Sequence, residues 1–519
     1  MTSFDTIIIG GGHNGLVAAG LMAKAGRRTL LLEASDTLGG ALRDHEFAPG
    51  FRSGGLVHML NRLSREALGD LGISADSFGS ENLPTVLLSE GKAPVILRGA
   101  YGASLEGIDA EEAKRFSVLR ETLLRQASIL RRFLAKAPPR PGAIGPMEML
   151  GLAGTGFELI RHGRAPARDF ARMLLMNVTD VADEYLTDDR LKGLLAFDAT
   201  LGIHLGPRSP TSLLGLYYRL TGEAAGLIGG QMVPKGGFQT LTGSLQAAFA
   251  RAGGSVRLSA PVARILTAGG RVSGVRLENG EEIFATELIA AIHPGSALQG
   301  LLAPGEVDTG LSSAIRKIRS KGNVARLSLA LDRLPEIAGL TPNDLRGRMV
   351  IAPSVNQVEN AFNPAKYGAF SPDPVMEFSF PSLHNPHLAA GNGAVLSALV
   401  QFAPYDLKGG WDTGRATFLE NVLKVLERAV PGLSQRIVGS ELLVPPDIEA
   451  RYRMPGGHWH HGELQADRML LNRPVFALSD YFTPIDGLFL ASAGCHPGGG
   501  ISGLAGRNAA RAILKRRRS

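Results

Sequence analysis

The stretch Phe4-Asp5-Thr6-Ile7-Ile8-Ile9-Gly10-Gly11-Gly12-His13-Asn14-Gly15 decides the fold of this chain. Its first half has the apolar pattern of a buried strand, and its second half contains the motif G-x-G-x-x-G. A helix-like run follows over residues 16–24, and a second apolar strand over residues 29–32 ends in Glu33. A strand, a glycine turn, a helix and a second strand that ends in an acid predict a dinucleotide-binding βαβ unit.

The three glycines of the motif have separate predicted tasks. Gly10 permits the tight turn from strand to helix, Gly12 lets the backbone approach a pyrophosphate, and Gly15 lets the helix pack closely on the strand. The free N–H groups at the helix N-terminus then face the phosphates. Glu33 is expected to accept hydrogen bonds from the ribose hydroxyls, which disfavours the 2′-phosphate of NADP. The turn by itself leaves NAD and FAD as alternatives.

Length and composition limit the class of protein. A chain of 519 residues is too long for one ordinary core, so two or more domains are expected. Hydrophobic residues make up 44% and charged residues 20%, which indicates a globular protein. The net charge of +7 is modest, and no nucleic-acid partner is expected.

Several features predict a cytoplasmic protein. Cys495 is the only cysteine, so no intramolecular disulfide can form, and this fits a reducing compartment. The N-terminus lacks a basic segment followed by a separate apolar segment, so a secretory signal is not expected. No run approaches 18 apolar residues, so a transmembrane helix is not expected either.

A largely helical insert is predicted between residues 108 and 195. Residues 108–136 have a helical pattern, the proline-rich stretch 137–142 interrupts it, and residues 144–176 alternate between apolar and basic side chains. Two interpretations stay open for that last stretch: a helical subdomain with a solvated basic face, or a basic amphipathic surface that contacts a membrane and collects a lipophilic substrate. The basic end of the chain, residues 515–519, is interpreted as a solvated helix end or as a weak contact with anionic lipid.

Alternating strand and helix patterns return after residue 234. A helix is predicted over residues 240–252, and strands over 255–258, 262–266, 272–277, 282–284 and 288–291. Asn279-Gly280 between two of these strands is a strong hairpin signal. These elements resemble the rest of the nucleotide domain, resumed after an insertion. Further strands are predicted over 324–331, 375–380, 395–402 and 488–491, with helices over 413–430 and 504–518.

Three blocks of the sequence together resemble the superfamily of FAD-dependent oxidoreductases that contains amine oxidases and phytoene desaturases. The N-terminal block joins the glycine motif and Glu33 to Gly39-Gly40, and the middle block contains Pro234-x-Gly236-Gly237. The C-terminal block is Gly494-Cys495-His496-Pro497-Gly498-Gly499-Gly500-Ile501-Ser502-Gly503. This last block is similar to the flavin-covering motif of phytoene desaturase-like proteins.

The resemblance implies FAD as the cofactor and an α/β fold. It predicts a Rossmann-type FAD-binding domain built from discontinuous segments, together with a mixed-sheet plus helical substrate domain. Residues 1–75, 225–300 and 466–519 are expected to form the FAD-binding domain. Residues 76–224 and 301–465 are expected to form the substrate domain, including the helical insert.

The family's cofactor contacts carry over to individual positions of this chain. The resemblance places one group at the pyrophosphate, namely Gly10, Gly12, His13, Asn14 and Gly15. It places Glu33 and Ala34 at the ribose, and it places Gly40, Ala41 and Leu42 at the ribityl side. It implies that Val262 contacts the adenine through its backbone, and that Gly494, Ile501 and Gly503 lie near the isoalloxazine or the pyrophosphate. Many relatives have an arginine directly after the Gly-Gly pair, where this chain has Ala41, and Arg43 is a candidate replacement for an ionic contact with the FAD phosphates.

The candidates for acid–base or metal chemistry are few. Hydride removal by a flavin mainly requires a C–H bond held at the flavin N5 in a dry cavity. His496 is interpreted either as a proton donor or tuner of the flavin, or as a histidine that shapes the glycine-rich turn. Cys495 is interpreted as a packing residue or as a covalent flavin tether. The cluster His458-Trp459-His460-His461 is a cavity-lining loop or a plain structural loop, and no metal is expected because no cysteine or helical pair of ligands accompanies it.

Two features that the sequence lacks limit the choice of electron acceptor. A dithiol reductase needs two cysteines, and a nicotinamide-dependent enzyme needs a second nucleotide motif, which the sequence does not contain. The electron acceptor is therefore expected to be oxygen, a quinone or another carrier, unless the electrons return to the substrate. The resemblance favours hydride removal from, or isomerisation of, an apolar, polyene- or carotenoid-like substrate. The alternatives are an amine or alcohol oxidase on a smaller substrate, and a flavin-binding interaction protein with vestigial catalysis.

Overall fold

The fold is described from a computed structural model for residues 4–139 and 164–516. The strands are β1 Phe4–Ile9, β2 Thr29–Leu32, β3 His45–Ala48, β4 Phe51–Ser53, β5 Thr85–Leu87, β6 Val95–Arg98, β7 Ser104–Glu106, β8 Glu223–Ala224, β9 Leu227–Ile228, β10 Ser255–Arg257, β11 Val262–Ala268, β12 Arg271–Leu277, β13 Glu282–Ala290, β14 Val324–Leu331, β15 Arg348–Ile351, β16 Val375–Ser379, β17 Ala394–Gln401, β18 Ile437–Leu443 and β19 Leu488–Leu490. The helices are α1 His13–Lys24, α2 Arg65–Asp70, α3 Ala110–Leu134, α4 Arg164–Leu175, α5 Val178–Tyr185, α6 Asp189–Thr200, α7 Leu213–Leu220, α8 Phe238–Arg251, α9 Thr309–Arg316, α10 Val355–Phe362, α11 Trp411–Ala429, α12 Pro445–Tyr452 and α13 Leu504–Arg516.

A parallel sheet carries the glycine turn, and its strands come from three regions of the chain. Strands β10, β2, β1, β13 and β19 lie side by side in this order and run parallel. Their residues form near-continuous buried runs, as in the case of Ile7 and Ile8, because helices such as α1, α8 and α13 cover the sheet. The predicted βαβ unit is confirmed as β1, α1 and β2, and its two strands are neighbours in this sheet, which is called the nucleotide sheet below.

The long strand β13 has two roles in the sheet. Two separate strands, residues 282–284 and 288–291, were predicted here, and this division is wrong because Glu282–Ala290 is one strand. Its beginning pairs antiparallel with β12, which continues to β11 across the predicted hairpin, and its end pairs parallel with β1 and β19. The polar residue Glu287 interrupts the apolar pattern, yet it is buried because its carboxylate accepts a hydrogen bond from the Thr6 hydroxyl at 2.9 Å.

A second, mixed sheet has the order β18-β14-β17-β16-β15-β5-β6-β7. The predicted strands at residues 324–331, 375–380 and 395–402 are confirmed as β14, β16 and β17. Strands β5, β6, β7, β15 and β18 were not predicted. Most of them have only three or four residues, and a run of that length does not reveal a period of two in the sequence.

The helices divide between the two faces of this second sheet. Helices α3, α5, α6, α7 and α10 share one apolar core with the sheet, and α11 packs with another apolar core on the opposite face. The side chain of Asp109 caps α3 by accepting the Glu112 backbone N–H at 2.9 Å, which fixes where this predicted helix begins.

The two sheets collect their strands from the segments that the sequence assigns to two domains. The strands of the nucleotide sheet lie within residues 1–75, 225–300 and 466–519, and those of the second sheet lie within residues 76–224 and 301–465. The hairpin of β3 and β4 belongs to the first segment in sequence but packs against β17 and β18 of the second sheet. It therefore connects the two units beside the cavity described below.

The predicted basic and apolar stretch at residues 144–176 lies mostly outside the described residues. Helix α4, which begins at Arg164, is its described end. The last residues of the basic C-terminus, 517–519, also lie outside. Within residues 4–139 and 164–516, the helices all lack the combination of length and apolar character that crossing a membrane would require.

Candidate functional site

One cavity of about 500 Å³ connects the glycine turn with the second sheet. It extends from Glu33 and Val262 beside the nucleotide sheet to Arg348 and Glu377 on the second sheet. Of the residues assigned to the cofactor from the sequence, those that line the cavity are Gly10, Gly12, His13, Asn14, Glu33, Ala34, Gly40, Ala41, Val262 and Ile501. The cavity therefore brings residues from both ends of the chain to one place.

The glycine turn leaves open space where a ligand can approach the backbone. Gly10 has a φ of +102°, a conformation that other residues rarely adopt. A Cβ placed on Gly12 would meet only the Cα of Gly40, at 3.9 Å, within a 4 Å radius. The side of Gly12 that faces the cavity is thus free of protein atoms, as close approach of a pyrophosphate requires.

Helix α1 begins directly at this open space. Gly12 precedes its first turn, no acidic side chain lies in that turn, and no side chain caps it. Buried polar atoms at the turn, Nε2 of His13 and Oδ1 of Asn14, have no hydrogen-bond partner among the described residues. Burial lowers the pKa of His13 to about 4, so its ring is neutral at physiological pH. The N-terminus of α1 has backbone N–H groups that no side chain caps and no acid in its first turn, so it is suited to phosphate oxygens.

The carboxylate of Glu33 is held in place by two backbone groups. The N–H of Gly11 donates to Oε2 at 2.7 Å, and the N–H of Ser35 donates to Oε1 at 2.9 Å. Each carboxylate oxygen retains a lone pair for a further donor. Glu33 therefore faces the cavity with a fixed orientation, in which ribose hydroxyls are suitable donors.

Other residues assigned to the cofactor shape the cavity without lining it. They are Gly15, Leu42, Gly494 and Gly503. A Cβ on Gly494 would lie 2.6 Å from Cδ of Pro294, and a Cβ on Gly503 would lie 2.9 Å from Cγ2 of Val17. These two glycines allow the C-terminal segment to pack closely against its neighbours, so their contribution to the site is indirect.

His496 and Cys495 face away from the cavity. Nε2 of His496 lies 3.1 Å from the carbonyl oxygen of Phe133, near the end of α3, and burial lowers the pKa of the ring to about 4. This geometry favours the turn-shaping interpretation of His496 over the proton-donor interpretation. Cys495 is fully buried, and burial raises the pKa of its thiol to about 11, which fits a packing residue.

The histidine loop, residues 458–461, packs on the C-terminal glycine segment. Trp459, His460 and His461 line the cavity, whereas Nε2 of His458 lies 3.5 Å from Oε1 of Glu463. A Cβ on Gly499 would lie 2.0 Å from Nδ1 of His460, so this ring lies directly on the glycine backbone. Burial, together with nearby cationic groups, lowers the pKa of His460 and of His461 well below the usual value. Neutral imidazoles therefore form this wall of the cavity.

From the sequence, five aromatic side chains are candidates for the walls of an apolar tunnel, with packing in the core as the alternative. Tyr218 lines the cavity, and its hydroxyl donates to the carbonyl oxygen of Gly499 at 2.6 Å. The others, Tyr217, Phe238, Phe378 and Phe380, are buried in the apolar cores. Tyr218 is the one that contributes to the site.

A buried ionic cluster, defined as His58, Asp198, Arg219, Arg348 and Glu377, lines the end of the cavity at the second sheet. Arg348 donates to Oδ1 of Asp198 at 2.5 Å and to Oε2 of Glu377 at 2.5 Å. His58 Nε2 lies 3.0 Å from Oε1 of Glu377, and Arg219 Nε lies 3.4 Å from Oδ2 of Asp198. The cluster was missed in the sequence because its members come from separate loops, helices and strands and share no local motif.

The charges within the ionic cluster balance each other. Burial opposes ionisation of Glu377, but Arg348 and His58 hold the pKa of its carboxyl below the usual range. Burial lowers the pKa of His58, so its ring is neutral at physiological pH. Two carboxylates then face two arginines. This end of the cavity presents paired charges and one neutral imidazole.

Arg43 lines the cavity, but its guanidinium is engaged elsewhere. Its Nη2 donates to the backbone carbonyl of Arg451 at 2.9 Å, and the group lies 5.7 Å from the ring centroid of Tyr452. A second arginine, Arg62, also lines the cavity and was not singled out in the sequence. No group of three or more histidine, cysteine or acidic side chains in residues 4–139 and 164–516 is arranged to hold a metal ion.

The residues of the cavity fit an adenine dinucleotide with a flavin. The turn at Gly12 admits a close ligand, the helix N-terminus offers uncapped backbone N–H groups, and Glu33 offers a carboxylate where the strand ends. The same cavity continues past Ile501 to the ionic cluster.

Comparisons with known proteins agree with this architecture. The family model described as flavin containing amine oxidoreductase matches residues 15–514. The chain is 28% identical to mouse (Mus musculus) pyridine nucleotide-disulfide oxidoreductase domain-containing protein 2, with 99% of this chain and 93% of that protein covered. It is 27% identical to the neurosporene-forming phytoene desaturase of Cereibacter sphaeroides, over 62% of this chain and 59% of that one.

Among solved structures, cyclohexylamine oxidase from Brevibacterium oxydans matches with a TM-score of 0.58 at 16% identity, covering 100% of both chains. At this identity the match concerns the fold alone. The family match spans nearly the whole chain, from the helix of the glycine turn to the C-terminal helix α13. The chain therefore belongs to the family of flavin-containing amine oxidoreductases, and its cofactor is FAD.

Proposed function

We propose that this flavoprotein removes a hydride from a carbon atom of an apolar, polyene- or terpene-like molecule, and so desaturates or isomerises it. The observation that carries the proposal is the continuity of the cavity, which joins the glycine turn to apolar side chains in front of the second sheet. These side chains are Leu56, Leu201, Ile203, Leu399, Trp459 and Leu464. The similarity to a phytoene desaturase points to the same substrate class.

The residues of this wall would hold the substrate and exclude water. FAD, when bound, supplies the hydride acceptor and the redox chemistry. The apolar side chains would orient a C–H bond towards the cofactor. The neutral rings of His460 and His461 would add no charge to the wall of the cavity. Positioning in a dry cavity is the main requirement of hydride transfer, which is why a strong acid–base pair is not needed.

A second candidate function is the oxidation of a smaller amine or alcohol. The ionic cluster favours it, because Asp198, Glu377 and His58 offer polar contacts that a pure hydrocarbon cannot use. Burying such polar groups against hydrocarbon is costly unless they are paired, and here they are paired with one another. The cluster therefore favours the second candidate without excluding the first, which is supported by the apolar side chains of the cavity wall.

An anaerobic experiment separates the candidates. The purified yellow protein would be mixed with a panel of polyenes and terpenes and, separately, with a panel of amines and alcohols, while the flavin absorbance is recorded. Bleaching by a hydrocarbon, or its conversion to an isomer without net bleaching, supports the proposal. Bleaching by an amine or alcohol alone supports the second candidate. If dithionite reduces the flavin but no compound of either panel does, and none is isomerised, both candidates are contradicted. That result favours a flavin-binding interaction protein.

The proposed electron acceptor is oxygen, a quinone or another carrier that reaches the flavin through the same cavity. A second nucleotide motif for a nicotinamide is absent from the sequence. Mixing the reduced protein with oxygen and with a soluble quinone would test this. Reoxidation that is fast with one of them and slow with NAD identifies the acceptor class, and fast reoxidation by NAD would refute the proposal.

A further inference from the structure

Arg62 is a buried cation that lines the cavity and forms no ion pair with an acidic side chain of the described residues. Only 7% of the surface of Arg62 is exposed. Nη1 donates to the carbonyl oxygen of Tyr218 and to Oγ1 of Thr221, the latter at 2.7 Å. Its Cζ lies 3.8 Å from the ring centroid of Tyr218, and its buried Nε has no hydrogen-bond partner among the described residues.

The contrast with Arg348 shows what Arg62 lacks. Arg348 is equally buried, but it forms ion pairs with Asp198 and Glu377. Within residues 4–139 and 164–516, the hydrogen-bond acceptors of Arg62 are a backbone carbonyl and a hydroxyl, and no carboxylate forms an ion pair with it. A guanidinium stays charged in a protein, and an unpaired buried charge is costly. Arg62 therefore requires a negative partner, and the described residues do not supply one.

The position of Arg62 relates it to the cofactor rather than to the ionic cluster. A Cβ on Gly500 would lie 2.9 Å from Cδ of Arg62, so the side chain rests against the C-terminal glycine segment. The ring of His13, the first residue of α1, faces the backbone of that same Gly500. Gly500 thus lies between Arg62 and the helix N-terminus at the glycine turn.

The position directly after the Gly39-Gly40 pair supplies no cation to the cavity. Ala41 occupies that position, and the guanidinium of Arg43 binds the Arg451 carbonyl. Arg62 is a cation whose free Nε is buried at the cavity wall and whose charge is uncompensated. A negative ligand group beside it would provide the missing partner.

We propose that Arg62 binds a negatively charged oxygen of FAD, either on the diphosphate or on the anionic ring of the reduced flavin. Both are anionic oxygens of one ligand, and they differ in when the charge is present. The diphosphate is charged in both redox states, whereas the flavin ring becomes an anion only on reduction. The inference rests on the cofactor and is independent of which substrate the protein oxidises.

The test uses Arg62→Met, which keeps the length and apolar stem, and Arg62→Lys, which keeps the charge. Arg65→Met is the matched control, because Arg65 lies three residues away, outside this cavity, and pairs with Asp76 and Glu223. For each protein, the Kd of oxidised FAD would be measured by titrating the apoprotein, and the midpoint potential of the bound flavin by dye-coupled reduction. Thermal melting with and without FAD reports whether each variant folds.

A diphosphate contact predicts that Arg62→Met raises the Kd of oxidised FAD about 10- to 100-fold, with the potential unchanged. A contact with the reduced ring predicts an unchanged Kd and a midpoint potential that falls by about 30 mV for each tenfold loss of preference for the reduced form. Arg62→Lys should recover part of either effect, and Arg65→Met should cause neither. If folded Arg62→Met binds oxidised FAD with the Kd of the parent protein and holds the same midpoint potential, the proposal is overturned, and an anionic substrate becomes the partner to test.

Discussion

Gly15 lies so close to Gly10 that a Cβ built on Gly15 would be 2.0 Å from the Gly10 carbonyl oxygen. Three positions earlier, a Cβ on Gly12 would meet only the Cα of Gly40 at 3.9 Å. One glycine of the motif is thus required by the contact between helix and strand, and the other faces space that the protein leaves to a ligand. The two requirements can be separated by mutation.

Gly12→Val is expected to give a folded protein that no longer holds FAD. The added Cβ meets no protein atom closer than ordinary contact, but the side chain occupies the space for the pyrophosphate. The measurement is the flavin absorbance of the purified protein and its circular dichroism spectrum. A yellow Gly12→Val protein with parental FAD affinity would refute the placement of the pyrophosphate.

Gly15→Ala is expected to destabilise the fold itself. One methyl group against a backbone oxygen forces α1 away from β1, and overpacking of this kind costs about 1–3 kcal/mol or more. The free energy of unfolding in urea, measured for the apoprotein without FAD, isolates this effect from cofactor binding. Parental stability of Gly15→Ala would contradict the close packing, and Gly12→Ala serves as the control that keeps the apoprotein stable.

Arg348→Met is expected to destabilise the protein by about 3–5 kcal/mol, because it removes the cation that lies closest to the two buried carboxylates of Asp198 and Glu377. Replacing all three residues, as Arg348→Met, Asp198→Asn and Glu377→Gln together, should recover part of the loss. The exposed pair of Arg276 and Glu282 provides the control, and Arg276→Met should change the unfolding free energy little. Equal effects of the two arginine variants would show that the cluster is not a buried charge network.

The unfolding free energy of the apoprotein is expected to fall as the pH drops from about 6.5 towards about 4. Burial lowers the pKa of His293 and of His496 to about 4 in the folded protein, from an ordinary 6.5. Between these values the unfolded chain binds protons that the native state does not, so acid favours unfolding by about 1.4 kcal/mol per pH unit for each histidine.

Urea unfolding at several pH values in this range measures that slope. The double variant His293→Gln and His496→Gln should have a shallower slope than the parent protein. A slope that the double variant leaves unchanged would mean that these two rings do not titrate as their burial requires.

Cys495 is expected to be unreactive in the folded protein. Its side chain is buried, and the raised pKa of about 11 keeps the thiol protonated at neutral pH. A colorimetric thiol reagent should label the native protein slowly and the urea-unfolded protein at once. Acid precipitation should release the yellow flavin into the supernatant, and a flavin that stays with the pellet would instead indicate a covalent tether.

Local signals made much of the nucleotide unit predictable. The turn, α1 and β2 form from consecutive residues, and Glu33 follows at a fixed distance, so sequence spacing alone placed them correctly. Longer strands such as β14 and β17 were predictable for a similar reason, because runs of eight buried residues are distinctive. The division of β13 was predicted wrongly, since Glu287 is polar in sequence and is buried only because Thr6 pairs with it across the sheet.

The sequence by itself determined the dinucleotide turn, the acid at the end of β2, the C-terminal glycine segment and thereby the flavoprotein family, because each depends on local backbone conformation and short spacing. Only the tertiary structure decided which side chains face the cavity. Asp198, Arg348 and Glu377 meet across separate elements, Arg62 has no acid to pair with among the described residues, and His496 turns towards α3. Such pairings depend on long-range packing, in which residues hundreds of positions apart become neighbours and burial sets their charge, and no local pattern in the chain encodes that.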